Sequence, residues 1–270
     1  MDRRKFLSLA GVLPILPATF VPAGRRILVI GDSVTWGQGL RDSQKMHTLL
    51  ARQLYAKDGL EPTVLHYACS GATIGYKDHK PAPSVEVPGW WPREIPESDP
   101  TLYEQCLQVN ADHLDRRFDL IILAGGINDV SVQTIFNPMT SVKDIQTACQ
   151  TWCYGAMSDL LGFIRSTYVS ANPQVRVMVL GYYSVFSSKS HLPDIADLLE
   201  TFVIELINPP TLEQQRAAEL EVGPLDLAGL LIRNSTAFRD ESLKALDQAV
   251  TDANAKGGAN FTFVDPHHGR

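Results

Sequence analysis

Five short runs of aliphatic and β-branched residues recur along the chain, each ending abruptly in small or polar residues: RILVIGDS (26–33), TVLHYACSG (63–71), FDLIILAGGIND (118–129), QVRVMVLGYYS (174–184) and NFTFVD (260–265). Runs that are apolar almost without alternation read as strands covered on both faces, the pattern of a parallel sheet flanked by helices. Longer stretches with helical spacing separate them. Residues 43–60 place Met46, Leu49, Leu50 and Leu54 on one face, with Gly59 as the stop. Residues 144–173 form a second helical pattern closed by Asn172-Pro173. Residues 239–258 form a third, with Leu243, Leu246 and Val250 on one stripe and Gly257-Gly258 beyond it. Alternating strands and helices predict an α/β protein: a three-layer α/β/α sandwich around a five-stranded parallel sheet of flavodoxin-like plan.

Two segments exceed a minimal sandwich. Residues 80–100 carry six prolines and the pair Trp90-Trp91, the composition of an extended surface loop. Residues 186–234 insert helical but poorly periodic sequence before the last helix. Insertions of this length in compact domains are commonly lids or binding surfaces, or else disordered. The Trp pair reads first as packing and second as a substrate platform. No internal repeat or low-complexity tract is present.

With 270 residues, 44% hydrophobic and 20% charged, the chain has the make-up of one globular domain. Its net charge of -6 lacks the clustered Lys and Arg that phosphate-backbone binding requires, so no nucleic-acid partner is expected. Residues 1–24 join a basic start containing Arg3-Arg4 to an apolar stretch broken by Pro14, Pro17 and Pro22, with small residues at Ala18 and Ala23. This is the plan of an export signal, and DRRKFL resembles its twin-arginine form. The stretch is too short and kinked for a membrane span; an uncut apolar anchor is the alternative. The expectation is a domain over residues 25–270 that works outside the cytoplasm, periplasmic or extracellular, with no stable membrane insertion once the signal is gone.

Export allows disulfides to persist. Connectivity cannot be deduced from sequence: a Cys69–Cys106 pair is one option, whereas Cys149 and Cys153, four residues apart in CQTWC, suit two thiols on one helix face. No Cys-x-x-Cys pair or His cluster has zinc-ligand spacing, and neither metal nor cofactor is expected.

Ligands of open parallel sheets bind at the carboxyl ends of the strands, where strand order reverses. The residues following four of the five strands are Gly31-Asp32-Ser33, then ACSGAT with Gly71, then GGIND with Asn128, and last Asp265 with His267 and His268. A serine hydroxyl needs a histidine base in hydrogen-bond reach to act as a nucleophile. Its attack on an ester carbonyl creates an oxyanion, for which the backbone N–H groups of Ser33 and Gly71 and the side-chain amide of Asn128 are candidate donors. Each residue also has a bland reading. Ser33 could cap a helix, Asn128 could sit in a left-handed turn, Asp129 could cap a helix, and Asp32 reads as a structural partner at the turn. Cys69 reads as a buried thiol or half of a disulfide, and His47, His66, His79, His113 and His191 as surface or packing residues.

Taken together, GDSVTWG, ACSGAT and GGIND resemble the first three blocks of the SGNH hydrolase superfamily, also called GDSL esterases and lipases, over residue 26 to the C-terminus. ACSGAT and VLGYYSVF are most similar to the secreted bacterial branch that includes actinomycete-type esterases and lipases. The resemblance implies Ser33 as nucleophile, Ser33, Gly71 and Asn128 as the oxyanion hole, and, through DPHH, Asp265 and His268 as triad acid and base. Only Gly269 and Arg270 follow, so a second reading stays open. Asp265 would then be a strand-end aspartate, with the base at His267 or beyond residue 270 in a longer chain.

The resulting expectation is a secreted serine hydrolase, an esterase or lipase, that cleaves a small-molecule, lipid or carbohydrate ester through an acyl-enzyme. Apolar content in the two extra segments suits an acyl-chain groove. Acetyl-carbohydrate esterase is the second reading, and a non-catalytic binding module on the same fold is the third, if the base is missing. A flavodoxin-like phosphate binder explains the first loop but not the Asn128 block, and the Gly-x-x-x-x-Gly-Lys loop is absent.

Overall fold

A computed structural model describes residues 24–75, 100–137, 139–186, 190 and 224–266. The expected export signal, the proline-rich Trp90-Trp91 segment, most of the second insertion, and His79, His191, His267 and His268 lie outside the described residues.

The elements in chain order are β1 (Arg26–Gly31), α1 (Ser33–Trp36), α2 (Met46–Asp58), β2 (Thr63–His66), α3 (Leu102–Asp112), β3 (Leu120–Ala124), α4 (Ile127–Val130) and α5 (Val132–Phe136). There follow α6 (Val142–Cys149), α7 (Met157–Ile164), β4 (Arg176–Leu180), α8 (Pro224–Ala255) and β5 (Phe261–Val264). All five strands pair in parallel in the order β2-β1-β3-β4-β5. Five parallel strands and the flavodoxin-like order match the reading of the sequence. The direction of winding reverses between β1 and β3, and that is where a crevice opens at the carboxyl edge.

Side chains alternate across the sheet, so each strand feeds both layers. Leu28 and Ile30 of β1 and Ile121 and Leu123 of β3 enter the main core with Leu102, Cys106 and Val109 of α3 and Phe238, Leu246 and Val250 of α8. Ile27, Val29 and Ile122 face the other way, against Trp36 and against Met46, Leu50 and Leu54 of α2. Helices therefore cover both faces, as the near-continuous apolar strands require.

Three expectations need correction. Leu49 does not join the packed face of α2 but stands 46% exposed, because Met46, Leu50 and Leu54 form an i, i+4 stripe and Leu49 lies about 100° round the helix from Leu50. The last helix starts at Pro224, well inside the segment read as insertion; proline suits a first helical turn, where its missing N–H has no partner to lose. The Cys69–Cys106 bridge does not form: Cys106, Cys149 and Cys153 are buried free thiols, and the Cys69 Sγ donates to the carbonyl of Tyr67 at 3.4 Å. The long helix before β4 is continuous, as expected, but Gln150–Ala156 and Arg165–Val169 are wound as π-helix, and the first of these carries Cys153.

Truncation tests the asymmetry between the two leucines. Leu246→Ala, at a fully buried position on α8, should cost about 2–5 kcal/mol, whereas Leu49→Ala should stay within about 0.5 kcal/mol of wild type. Urea denaturation of the two variants measures the difference.

Candidate active site

β1 ends at Gly31, where the chain must leave the sheet between two obstacles. A Cβ on Gly31, which has φ +139, would come within 2.2 Å of the Thr35 hydroxyl and 2.5 Å of the Ala124 carbonyl, so no side chain fits. Gln105 of α3 clamps this residue: the Gly31 N–H donates to its Oε1 at 2.8 Å, and its Nε2 donates to the Gly31 carbonyl at 3.0 Å.

Asp32, not Ser33, caps the helical turn that follows. Its Oδ1 accepts from the Val34 N–H at 2.9 Å, and Gly37 closes the turn in the left-handed conformation. The hydroxyl of Ser33, half-buried as the first residue of α1, carries no hydrogen bond among the described residues. Asp32 itself is fully buried, and Tyr182, just after β4, donates its hydroxyl to Oδ2 at 2.5 Å. Burial pushes the Asp32 carboxyl up to about 6, against the pull of the Tyr182 and Val34 bonds.

The loop after β2 is tied to this turn. The Cys69 N–H donates to the Gly31 carbonyl at 2.9 Å and the Ser70 hydroxyl to Gln38 Oε1 at 3.1 Å. Gly71 adopts φ +78, a left-handed backbone that adds a conformational reason for glycine to the expected close approach of a substrate.

The loop after β3 closes the group. Asn128 lies in α4 with ordinary helical backbone; the positive φ values fall on its neighbours Gly126 and Ser131, which removes the turn reading for Asn128. Its Nδ2 donates to the Ala72 carbonyl at 2.9 Å, leaving the second amide hydrogen for another acceptor. Asp129 is no helix cap: its buried carboxylate accepts from the Ile74 N–H at 3.0 Å through both oxygens, stitching the third loop to the second. Burial pushes this carboxyl up to about 7, and the charge of Asp32 adds to the effect.

Ser33, Gly71 and Asn128 thus stand at the carboxyl ends of the adjacent strands β1, β2 and β3. Asp265 follows β5, half-buried at the far edge, three strand spacings or about 14 Å from β1. His267 and His268 follow it outside the described residues. His66 and His47 are packing residues: their rings lie 4.5 Å apart, His66 meets Trp36 edge-on at 4.9 Å, and burial pushes His66 down to about 4.

Sequence reasoning missed Gln105, Tyr182 and the role of Asp129. Gln105 carried a signal, being a polar residue on the apolar stripe of Leu102, Cys106 and Val109, where burial demands partners. Tyr182 had none, since its use depends on which strand ends become neighbours.

The fold defines a class, the parallel α/β/α sandwiches with a crevice where the strand order reverses. The family described as GDSL-like Lipase/Acylhydrolase matches residues 29–269, and the chain belongs to it and is a carboxylic ester hydrolase. Among solved structures, the lipase Lip_vut3 from a goat rumen metagenome is 15% identical, with 89% of this chain and 80% of that chain covered and a TM-score of 0.47. The extracellular lipase from Streptomyces rimosus is 17% identical, with 90% and 80% covered and a TM-score of 0.46. The acetyl xylan esterase AlAXEase is 13% identical, with 89% and 76% covered and a TM-score of 0.38. Comparison with curated proteins yields no significant match. Among the described residues no helix is long and apolar enough to cross a membrane.

The raised carboxyls make a pH prediction. Both folded values exceed the ordinary carboxylate value of about 4, so the native state holds more protons than the unfolded chain between about pH 4 and 7. The stability contribution of these two groups is therefore greatest at about pH 4 and falls as pH rises through that window. Asp129→Asn removes its share: relative to wild type, the variant should gain stability from pH 4 to 7 and hold a constant difference above. Denaturation midpoints across the range check this.

Proposed function

We propose that this ester hydrolase works through an acyl-enzyme on Ser33, and the observation that carries the reading is the division of labour at residues 32 and 33. A capping role for Ser33 would explain its place before a helix, but Asp32 fills the cap. The Ser33 hydroxyl is left at the carboxyl edge beside the strand-order reversal, with no structural hydrogen bond among the described residues to hold it. Serine in such a place suits nucleophilic attack, which requires a hydroxyl that is fixed by its backbone and unengaged by its side chain.

In this reading Ser33 Oγ attacks the ester carbonyl carbon and loses its proton to the imidazole of His268, which Asp265 orients. The tetrahedral oxyanion accepts from the backbone N–H groups of Ser33 and Gly71 and from Asn128 Nδ2. His268 then protonates the leaving alcohol as the carbon–oxygen bond breaks, and water, activated by the same base, hydrolyses the acyl-serine. The tie from Asn128 to Ala72 O supports this assignment, because it pre-orients the remaining amide hydrogen at no cost during the reaction. Export ahead of this chemistry is proposed from Arg3-Arg4 and the apolar run behind them.

Intact-mass spectrometry before and after a fluorophosphonate probe tests the reading. One label per chain is expected, lost in Ser33→Ala; a folded wild-type protein that takes no label overturns it. Asn128→Ala should lower kcat by about 10²–10³ with little change in KM. His268→Ala and Asp265→Asn should each reduce labelling sharply; a labelled His268→Ala protein would move the base elsewhere.

A further inference from the structure

We propose that Tyr182 is a positioning residue for the catalytic step, holding the Ser33 turn and the Asn128 turn at a set separation through its one hydroxyl group. This inference rests on the reading of Ser33 as nucleophile.

The hydroxyl sits at the centre of a bridge between two strand ends. It donates to Asp32 Oδ2 at 2.5 Å, while Asp32 Oδ1 accepts from the Val34 N–H at 2.9 Å, one residue beyond the nucleophile. On its other side it accepts from the N–H of Ile127 at 3.4 Å, one residue before Asn128. A phenol has one hydrogen and two lone pairs, so a single Tyr can serve both neighbours at once. The strands concerned are β1 and β3, which flank the reversal of strand order, and Tyr182 reaches them from the end of β4.

The side chain has no freedom to move away. It is 2% exposed, and its ring packs against Phe238 of α8 at 5.5 Å between centroids. The bond to a buried carboxylate is charge-assisted, the strongest kind available to a neutral hydroxyl. The other titratable groups acting on Asp32 and Tyr182 among the described residues are Cys153, from the π-helical stretch, and Asp129 of α4. Burial pushes the Tyr182 hydroxyl well above its ordinary value, so it stays a donor at working pH.

Gln105 and Asp129 tie neighbouring loops to the sheet or to each other, but neither touches both the nucleophile turn and the amide turn. Tyr182 does. An oxyanion hole whose members come from different loops loses power when their spacing drifts, since misplacement by about 1 Å can cost about 10²-fold in rate.

The test measures kcat, KM and fluorophosphonate labelling for wild type, Tyr182→Phe, Asn128→Ala and the double variant. Tyr182→Phe keeps the ring and its contact with Phe238. Expected is a fall in kcat of about ten-fold or more, with KM within about two-fold, and a much smaller fall when Asn128 is already alanine. An unchanged kcat, or an equal fall in both backgrounds, overturns the inference and leaves Tyr182 a support of the fold alone. Should Tyr182→Phe not fold, Asp32→Asn probes the bridge from its other end, by weakening the same bond. The inference requires the same loss of kcat and the same dependence on Asn128, and an unchanged or additive result overturns it. A wild-type protein that takes no label fails the Ser33 reading itself, an outcome distinct from a labelled wild type with an unaffected Tyr182→Phe.

Discussion

Asp32 carries a carboxylate with no exposure to solvent, placed at the last bend of β1 and the first turn of α1. A charge removed from water must be met by donors or surrendered to a proton. Here the donors include the Val34 N–H and the Tyr182 hydroxyl, with the backbone of Thr35 beside them, and meeting them sets the local geometry. The carboxylate satisfies the helix start, which releases the hydroxyl of Ser33 from that duty. Its second oxygen draws in a tyrosine from beyond β4, and so the end of one strand comes to depend on the end of another two places away.

The three loops form a closed set of ties around this centre. Gly31 meets the second loop through Cys69 N–H, the second loop meets the third through Asn128 and Asp129, and the third returns to the first through Ile127, Tyr182 and Asp32. Each bond alone adds about 1 kcal/mol net, but the ring of bonds means that no loop shifts without breaking two of them. The cost lies in burying two carboxyls, Asp32 and Asp129, whose ordinary acidity is suppressed by desolvation. A rigid site is assembled from loops, and the sheet beneath supplies the fixed frame.

Much of this was legible along the chain, for local reasons. Strands buried on both faces announce themselves as unbroken apolar runs, and all five did. Gly59 and Asn172-Pro173 marked helix ends because left-handed backbone and proline act on their own neighbours. What failed was whatever depended on a distant partner. Leu49 has the periodicity of a core residue yet faces solvent, since the docking of α2 on the sheet turns the Met46, Leu50 and Leu54 stripe inward and not Leu49. Cys69 and Cys106 share a chain but not a site, and their pairing could not be read from spacing.

By itself, the sequence determined the class of fold and the loops after the strands, with Ser33, Gly71 and Asn128, that gather at one edge of the sheet. These follow from burial pattern and from motifs only a few residues long, where cause and effect are neighbours. The tertiary structure alone decided that Asp32 and not Ser33 serves as cap, that Asp129 binds Ile74 and not its own helix, and that Tyr182 and Gln105 hold the first strand end. Apart from the cap, which spans two positions, those are contacts across 55 to 150 positions of chain, created when parallel strands bring remote loops to one edge.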